Sequence, residues 1–341
     1  MQTVSIAEVA QRAGVSTATV SRALSGRGHV SAAAKDAVLR AAHDLGYVVS
    51  SNASSLASGR TRNVGVVLPF LDRWYFTSVL EGAQQALMRA GYDVTLYNVS
   101  GGPELRDRVF EEFLLRQRVD AVIAVSLELT PHEVSRLLAL GKPLVGVGGP
   151  IPDVRTLAID DVAVAHLATE HLIGLGHTRI GHLGGRPEFD SDFHLPVQRR
   201  QGYEAALAEA GIPLDPDLVA NADFTVQGGY HAAKQLLGAH PRSRPTAIFA
   251  ASDEMGMGAI LAARDLGLSV PHDVSVAGID DHDQADFFGL TTVAQFPREQ
   301  GARAVDILLE QLEPQHDHAV AADIPLPFAL VVRSSTARPR D

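Results

Sequence analysis

The sequence predicts an α/β protein: a small three-helix head containing a helix-turn-helix, followed by a body of two successive halves built on parallel sheets. Three observations predict it. The first sixty residues hold three short helical patterns, each with a capping residue in front and a glycine behind. From residue 63 onward, apolar runs of strand length alternate with amphipathic helical stretches, the signature of a buried parallel sheet with crossover helices. That alternation restarts near residue 161, which gives two halves rather than one sheet.

In the head, Ser5-Ile6-Ala7-Glu8 has the form of a capping box. Ile6, Val9, Ala10 and Ala13 follow at helical spacing, and Gly14 suits a left-handed helix end. Ser16 is placed to cap a second helix from Thr17, with Val20 and Leu24 inward and Gly26 and Gly28 breaking it. Ser31 is placed to cap a third, with Ala34, Val38, Ala41 and Leu45 inward and Gly46 ending it. Two helices joined by about four residues around Gly14 make a helix-turn-helix, whose second helix enters the DNA major groove. That groove is roughly 12 Å wide, so the entering face must be short-chained. Thr17, Ala18 and Ser21 are short, and Arg22 reaches further. Thr17 is suited to a base edge, Ala18 to a thymine methyl and Arg22 to two bonds with guanine; Thr19 and Ser21 are candidates at the phosphates, and Ser16, the cap, is also counted among the DNA-binding residues. An ordinary three-helix core with no ligand is the alternative. Charge argues against it. Residues 1–62 carry seven Lys/Arg against three Asp/Glu, a net +4, while the remainder carries 22 against 37, a net −15. A basic head on an acidic body suggests that the head alone meets a polyanion.

In the body, NVGVVLPF (63–70) reads as a buried parallel strand, followed by a helix over 79–91, strand 92–99, a helical stretch 103–118, strand 119–126, helix 131–141 and strand 143–149. After the restart come a helix over 161–175, strand 179–185, helix 198–210, a short strand near 218–220, helix 227–238, strand 246–252, helix 254–266 and strand 274–280. Ligands of such folds sit at the carboxyl ends of the strands, so two halves facing each other make a cleft walled by those ends.

Composition bounds the function. At 341 residues, 46% hydrophobic and 20% charged, the chain is long enough for two or three domains of ordinary globular kind. It has no cysteine, which excludes disulfides, thiolate chemistry and Cys-based metal sites. The opening MQTVSIAEVAQRAG lacks a signal-peptide apolar core and no run of 18 apolar residues occurs, so a cytoplasmic protein with no membrane segment is expected. GVGG (146–149) and GHLGG (181–185) fit neither dinucleotide nor P-loop spacing, so no nucleotide cofactor is expected. His166, His171, His177 and His182 match no zinc motif, and no metal is expected. Asp280 and Asp281 are adjacent on a strand and point opposite ways, so they cannot flank one glycosidic bond.

One stretch of the head is more specific than spacing and charge. The run VSIAEVAQRAGVSTATVSRALSG, with HVSAAAKDAVLRAAHDLGYVVSSNASSLASGR after it, resembles the headpiece of the LacI/GalR-type (lactose/galactose repressor) family of bacterial transcription regulators over residues 3–60 without gaps. The resemblance implies base readout by Thr17, Ala18 and Arg22, with His29 a further DNA contact. It implies a helix-turn-helix headpiece over 1–49 and a hinge over 50–62. By composition that hinge is only a polar linker with one apolar residue. The resemblance makes Leu56 a wedge in the minor groove, with Ala53 in the same groove. Val49 and Ser50 stand where the family commonly has Pro and Asn.

The resemblance continues more weakly through IDDVAVAHLATEHLIGLGHTRIGHLGG, AIFAASDEMGMGAILAARDLGLSVPHDVSVAGIDD, LTTVAQFPREQGARAVDILLEQL and LVVRSST. It implies a periplasmic-binding-protein-like effector domain over 63–341, in two subdomains: 63–160 with 291–322, and 161–290 with 323–341. Phe70, Asp72 and Trp74 follow the first strand, Trp74 suiting either a lid or the core. The resemblance places a ligand arginine at Arg199 and a ring-stacking residue at Phe224; Ser252 and Asp280 close strands. Asp253 and Asp161 are read as helix caps. Carboxylates, a forked guanidinium and aromatic faces suit a sugar. Gly148-Gly149 stands where related sequences often carry an acid or amide. The expectation is a repressor that binds palindromic double-stranded operator DNA as a homodimer under control of a sugar-like small molecule. A dimer is favoured because only TARPRD follows the last strand. A solute-binding protein and a sugar-processing enzyme are the alternatives; the basic head argues against the first, and no nucleophile–base pair supports the second.

Overall fold

The computed structural model describes residues 4–25, 29–47, 60–116, 118–185, 195–240, 242–313 and 323–340. The chain divides into two compact units, Met1–Arg62 and Asn63–Asp341.

The first unit is built of α1 (Ile6–Ala13), α2 (Thr17–Ser25) and α3 (Ala32–Leu45). The Ser5/Glu8 capping box forms as the sequence requires, with the Ser5 amide donating to the Glu8 carboxylate at 2.7 Å. Gly14 and Gly46 both end their helices in the left-handed conformation. Ser16 accepts from the Thr19 amide at 3.2 Å, and Ser31 from the Ala34 amide at 3.3 Å. Val9, Ala10, Val20, Ala23, Val38, Ala41 and Ala42 form the core, with Leu24 and Leu45 at its margin. Gly26 and Gly28, expected to break α2, lie outside the described residues.

The second unit contains two six-stranded sheets. The first uses β1 (Asn63–Leu68), β2 (Asp93–Asn98), β3 (Ala121–Val125), β4 (Leu144–Val147), β5 (Arg155–Ala158) and β11 (Asp323–Pro325), in the order β11-β5-β4-β3-β1-β2, all parallel. The second uses β6 (Ile180–Gly185), β7 (Val219–Ala222), β8 (Ala247–Ala250), β9 (Ser275–Asp280), β10 (Thr291–Ala294) and β12 (Ala329–Val331), in the order β12-β10-β9-β8-β6-β7. Only its edge strand β12 runs antiparallel, against β10. Strands β3, β4, β6, β8, β9 and β10 are buried along their whole length, as sheets covered on both faces must be.

The covering helices include α4 (Trp74–Arg89), α5 (Pro103–Arg108) and α6 (Pro131–Ala139) on the first sheet, with α12 (Pro297–Leu312) beside α4. The second sheet carries α7 (Asp161–Gly174), α8 (Leu195–Glu209), α9 (Val226–Leu237), α10 (Asp253–Asp265) and the short α11 (Ala285–Phe288). Helices α4 and α12 cross at glycines: a Cβ on Gly82 would fall 1.9 Å from the Arg298 carbonyl oxygen, and one on Gly301 2.0 Å from that of Val79. The expected helix over 103–118 is shorter; α5 gives way to a π-helical turn (109–113) and a 3₁₀ turn (114–116), which bury Val109, Phe110 and Leu114.

The chain crosses between the two sheets at 159–160, as expected. The other two crossings lie further along than the expected 290/291 and 322/323. Thr291–Ala294 pairs with β9 in the second sheet, and Asp323–Pro325 adds to β5 in the first, where the Thr156 hydroxyl donates to the Asp323 carboxylate. The crossings therefore run through 295–296 and 326–328. The first turns on Phe296, held at φ 54 immediately before Pro297.

Candidate DNA-reading helix and ligand cleft

On α2, the two faces separate cleanly. Val20 and Ala23 are buried, while Ser16, Thr17, Ala18, Ser21 and Arg22 are exposed and Thr19 is half-buried. The Ser16 and Thr19 hydroxyls lie 3.0 Å apart, and Arg22 Nε donates to the Ala18 carbonyl at 3.2 Å. That bond holds the guanidinium along the outer face of its own helix. His29 is exposed. Ala53 and Leu56 lie outside the described residues, as do Val49 and Ser50.

In the second unit, a cleft of about 980 Å³ opens between the carboxyl ends of the two sheets. Phe70, Arg199, Phe224, Ser252 and Asp280 line it, as the sequence predicts. Asp72 and Trp74 do not. The Asp72 side chain is 84% exposed and lies 3.9 Å from Arg73 Nε. Trp74 opens α4 and leans across to the other subdomain, where its Nε1 donates to Asp283 at 3.0 Å and its ring packs on His282 at 4.8 Å. It is a tie between subdomains rather than a lid.

At the base of the cleft, buried Arg199 donates from Nε to Asp161 Oδ1 at 2.8 Å and from Nη1 to the Ala251 carbonyl. Asp161 is therefore a cleft residue and not the cap expected from sequence; Asp160 caps α7, accepting from the Ala163 amide at 2.9 Å. The same one-residue exchange occurs at α10. Ser252 is the cap, accepting from the Met255 amide at 3.3 Å, and Asp253 lies buried behind it, accepting from the His282 amide at 2.9 Å. Asp280, at φ 136, accepts from Gln295 Nε2 and from the Asp253 amide. Gln300 continues this chain: its Nε2 donates to the Gln295 carbonyl at 2.6 Å, and its Oε1 accepts from Tyr75 at 2.9 Å.

Burial raises the pKa values of these acids. Asp280 is pushed up to about 6 despite the Arg199 charge, and Glu254 to about 7, by burial first and then the Asp280 charge. Asp253 is raised well above the carboxylate range by burial and by Asp280. Apolar walls come from Phe70, which packs edge-on to Phe76 at 5.6 Å, and from Phe224 at φ 58. Gly185 makes room for Phe224, since a Cβ there would stand 2.3 Å from its ring. Gly148 has a similar role. At φ 96, its Cβ would fall 2.0 Å from Ser126 Oγ, so Ser126 occupies this part of the wall in place of an acid or amide.

Asp161, Glu254, Gln295 and Gln300 were missed from sequence. The adjacent pair Asp160-Asp161 carried a signal, because only one of two neighbours can cap a helix. Among the described residues, no group of three or more His, Asp or Glu is placed to hold a metal ion. The four histidines have separate partners: His166 with Glu209, His171 with Thr336, His177 with Thr246 and Ser275, and His182 between Tyr203 and Phe249. No helix among the described residues is long and apolar enough to cross a membrane.

Residues 5–50 match the family of bacterial regulatory proteins of the lacI type, and residues 169–336 match a periplasmic binding protein-like domain. The HTH-type transcriptional repressor PurR of Haemophilus influenzae (strain PittEE) is 33% identical over 311 residues, 90% of either chain. The Lac repressor dimer bound to operator and the anti-inducer ONPF superposes with a TM-score of 0.83 at 28% identity, over 98% of this chain and all of that one. The transcriptional regulator CelR in complex with cellobiose superposes with a TM-score of 0.70 at 30% identity, over 97% and 99%. A head and a body that each match, with one-third identity along nine-tenths of a repressor, establish that this chain belongs to the lacI family of bacterial regulatory proteins and is a transcriptional regulator.

Proposed function

We propose that the protein is a cytoplasmic, non-enzymatic repressor that binds a palindromic operator as a homodimer and is switched by a sugar-like molecule in its cleft. The observation that carries the first half is the division of α2 into a buried Val20/Ala23 face and an exposed short-chained face with one long donor, Arg22. Thr17 and Ala18 let the backbone approach base edges, and Arg22 reads a guanine. Thr19 and Ser21 meet phosphates, with Ser16 and His29 further DNA contacts. Residues 1–49 form the reading head and 50–62 the hinge, with Leu56 wedged into a central base step and Ala53 beside it. In the second half, Arg199, Asp161 and Asp280 offer donors and acceptors to vicinal hydroxyls, while Phe70 and Phe224 cover apolar C–H faces. Occupancy of the cleft shifts the two subdomains, and with them the spacing of two hinges in a dimer.

Selection of bound sequences from a random duplex library tests the reading. The expected product is a palindrome whose affinity falls steeply with salt and with Leu56→Ala. Recovery of no preferred sequence overturns it.

A further inference from the structure

Among the described residues, the cleft is lined by six carboxyl side chains and three guanidinium groups. Two of these three cations are bonded to carboxylates, and the third, Arg73, is bonded only in part, its Nε having no hydrogen-bond partner. Arg199 is paired with Asp161 at 2.8 Å, and Arg106 holds Glu133 through two contacts, one of 2.9 Å. Arg73 lies over the Phe70 ring at 5.3 Å, 3.9 Å from Asp72, and donates to the Asp223 carbonyl. Glu254 differs from the acids around it. It stands one residue inside α10, half-buried in the cleft wall, and its carboxyl makes no hydrogen bond or ion pair among the described residues. Buried polar groups are normally partnered, so an acid left open toward a cavity is placed for what enters that cavity. Asp280 also faces the cleft and accepts from Gln295 and from a backbone amide.

On the basis of the regulator reading above, we propose that Glu254 is an effector-binding residue that restricts the cleft to uncharged, hydroxyl-rich ligands and rejects sugar phosphates and sugar acids. Hydroxyls can donate to an open carboxylate or accept from a carboxyl, whereas a phosphate or carboxylate can only repel the ionised form. Among the described cleft guanidiniums, those of Arg199 and Arg106 are already bonded to carboxylates and only Arg73 keeps an open donor, so the acids outweigh the cation left for an anionic ligand. The aromatic walls are indifferent to that choice, so discrimination falls to the acids.

The test is calorimetric titration of the full-length protein with matched sets: glucose, glucose 6-phosphate and glucuronate; galactose, galactose 6-phosphate and galacturonate; ribose and ribose 5-phosphate; cellobiose and cellobionate. At least one neutral sugar is expected to bind, at least tenfold tighter than its anionic partners. Glu254→Gln should narrow that gap severalfold, and Glu254→Lys should close or reverse it. Three outcomes overturn the proposal: an anionic member binding as tightly as its neutral partner, no neutral member binding, or a gap that Glu254→Gln and Glu254→Lys both leave intact. Operator selection on the same protein without sugar separates the two claims. If DNA binding holds while an anionic member matches its neutral partner or the Glu254 variants leave the gap intact, only this inference falls; if no neutral sugar binds, the sugar-like effector falls with it; if neutral sugars bind but no operator is found, the operator-binding reading falls.

Discussion

The head and the cleft are built by opposite strategies. The reading helix takes its face from consecutive residues, Ser16 to Arg22, and its cap, like the caps and glycine stops of α1 and α3, lies within a turn of the helix it serves. The cleft draws Phe70 from the end of β1, Arg199 from α8, Phe224 from the β7–α9 turn, Glu254 from α10 and Asp280 from β9. A contiguous site tolerates change one contact at a time. A convergent site depends on pairs, and removing one member leaves the other buried and unmatched.

The largest expected effect breaks the cleft through such a pair. Arg199→Ala strands Asp161 in a buried site, and should cost about 3–5 kcal/mol of stability in denaturant titration. It should also abolish binding of whichever sugar the wild type takes. Asp161→Asn in the same background should recover part of the stability but not the sugar binding. Independent, additive effects of the two changes would show that they are not a pair.

Arg22→Ala tests the contiguous site and should be smaller. It should cost about 1–3 kcal/mol of operator affinity and relax preference at one symmetric base pair, measured by anisotropy on operator variants. Sugar affinity should not change. Uniform weakening on all sequences would move Arg22 from base reading to phosphate contact. Smaller again is Ser31→Ala, which removes the α3 cap and should cost about 1 kcal/mol of stability in the head, read by amide exchange in α3.

A pH series sharpens the contrast further, because the raised acids are in the cleft. Glu254 at about 7 and Asp280 at about 6 hold protons in the folded state that the unfolded chain, with values near 4.5 and 3.8, has released. The folded state then binds more protons, so their contribution to stability is fully present below about pH 4 and is lost as pH rises to 7. The charges that act on Glu254 are those of Asp280, Arg73, Asp72 and Asp223. Thermal melts from pH 5 to 8 should show a steeper decline in wild type than in Glu254→Gln. Parallel curves would place the Glu254 carboxyl in open solvent.

The same contrast explains how much was legible in the sequence. Every cap in the head was read correctly, because the residue that caps and the amide it accepts from are three apart. In the cleft, Arg199, Phe224 and Asp280 came through the family resemblance and strand ends. Asp161 and Asp253 read as caps in the sequence because helix starts are legible only to within a residue, and here one residue exchanges the cap and the buried acid. Glu254 follows Asp253 with no local feature to mark it; its meaning depends on Asp280, 26 positions later. Trp74 reads as a pocket residue in the sequence because nothing nearby shows that its partner is Asp283. Strands β5 and β11 have four and three residues and no alternation, so β5 went unread and the crossing after β11 was placed early.

The account's central claim is that the cleft controls the head. The direct measurement is operator affinity of the full-length protein by fluorescence anisotropy, with and without a saturating neutral sugar from the calorimetric panel. The account predicts at least a tenfold change in operator Kd for wild type and none for Arg199→Ala, assayed at a temperature where the variant is folded. An operator Kd identical with and without bound sugar would contradict it.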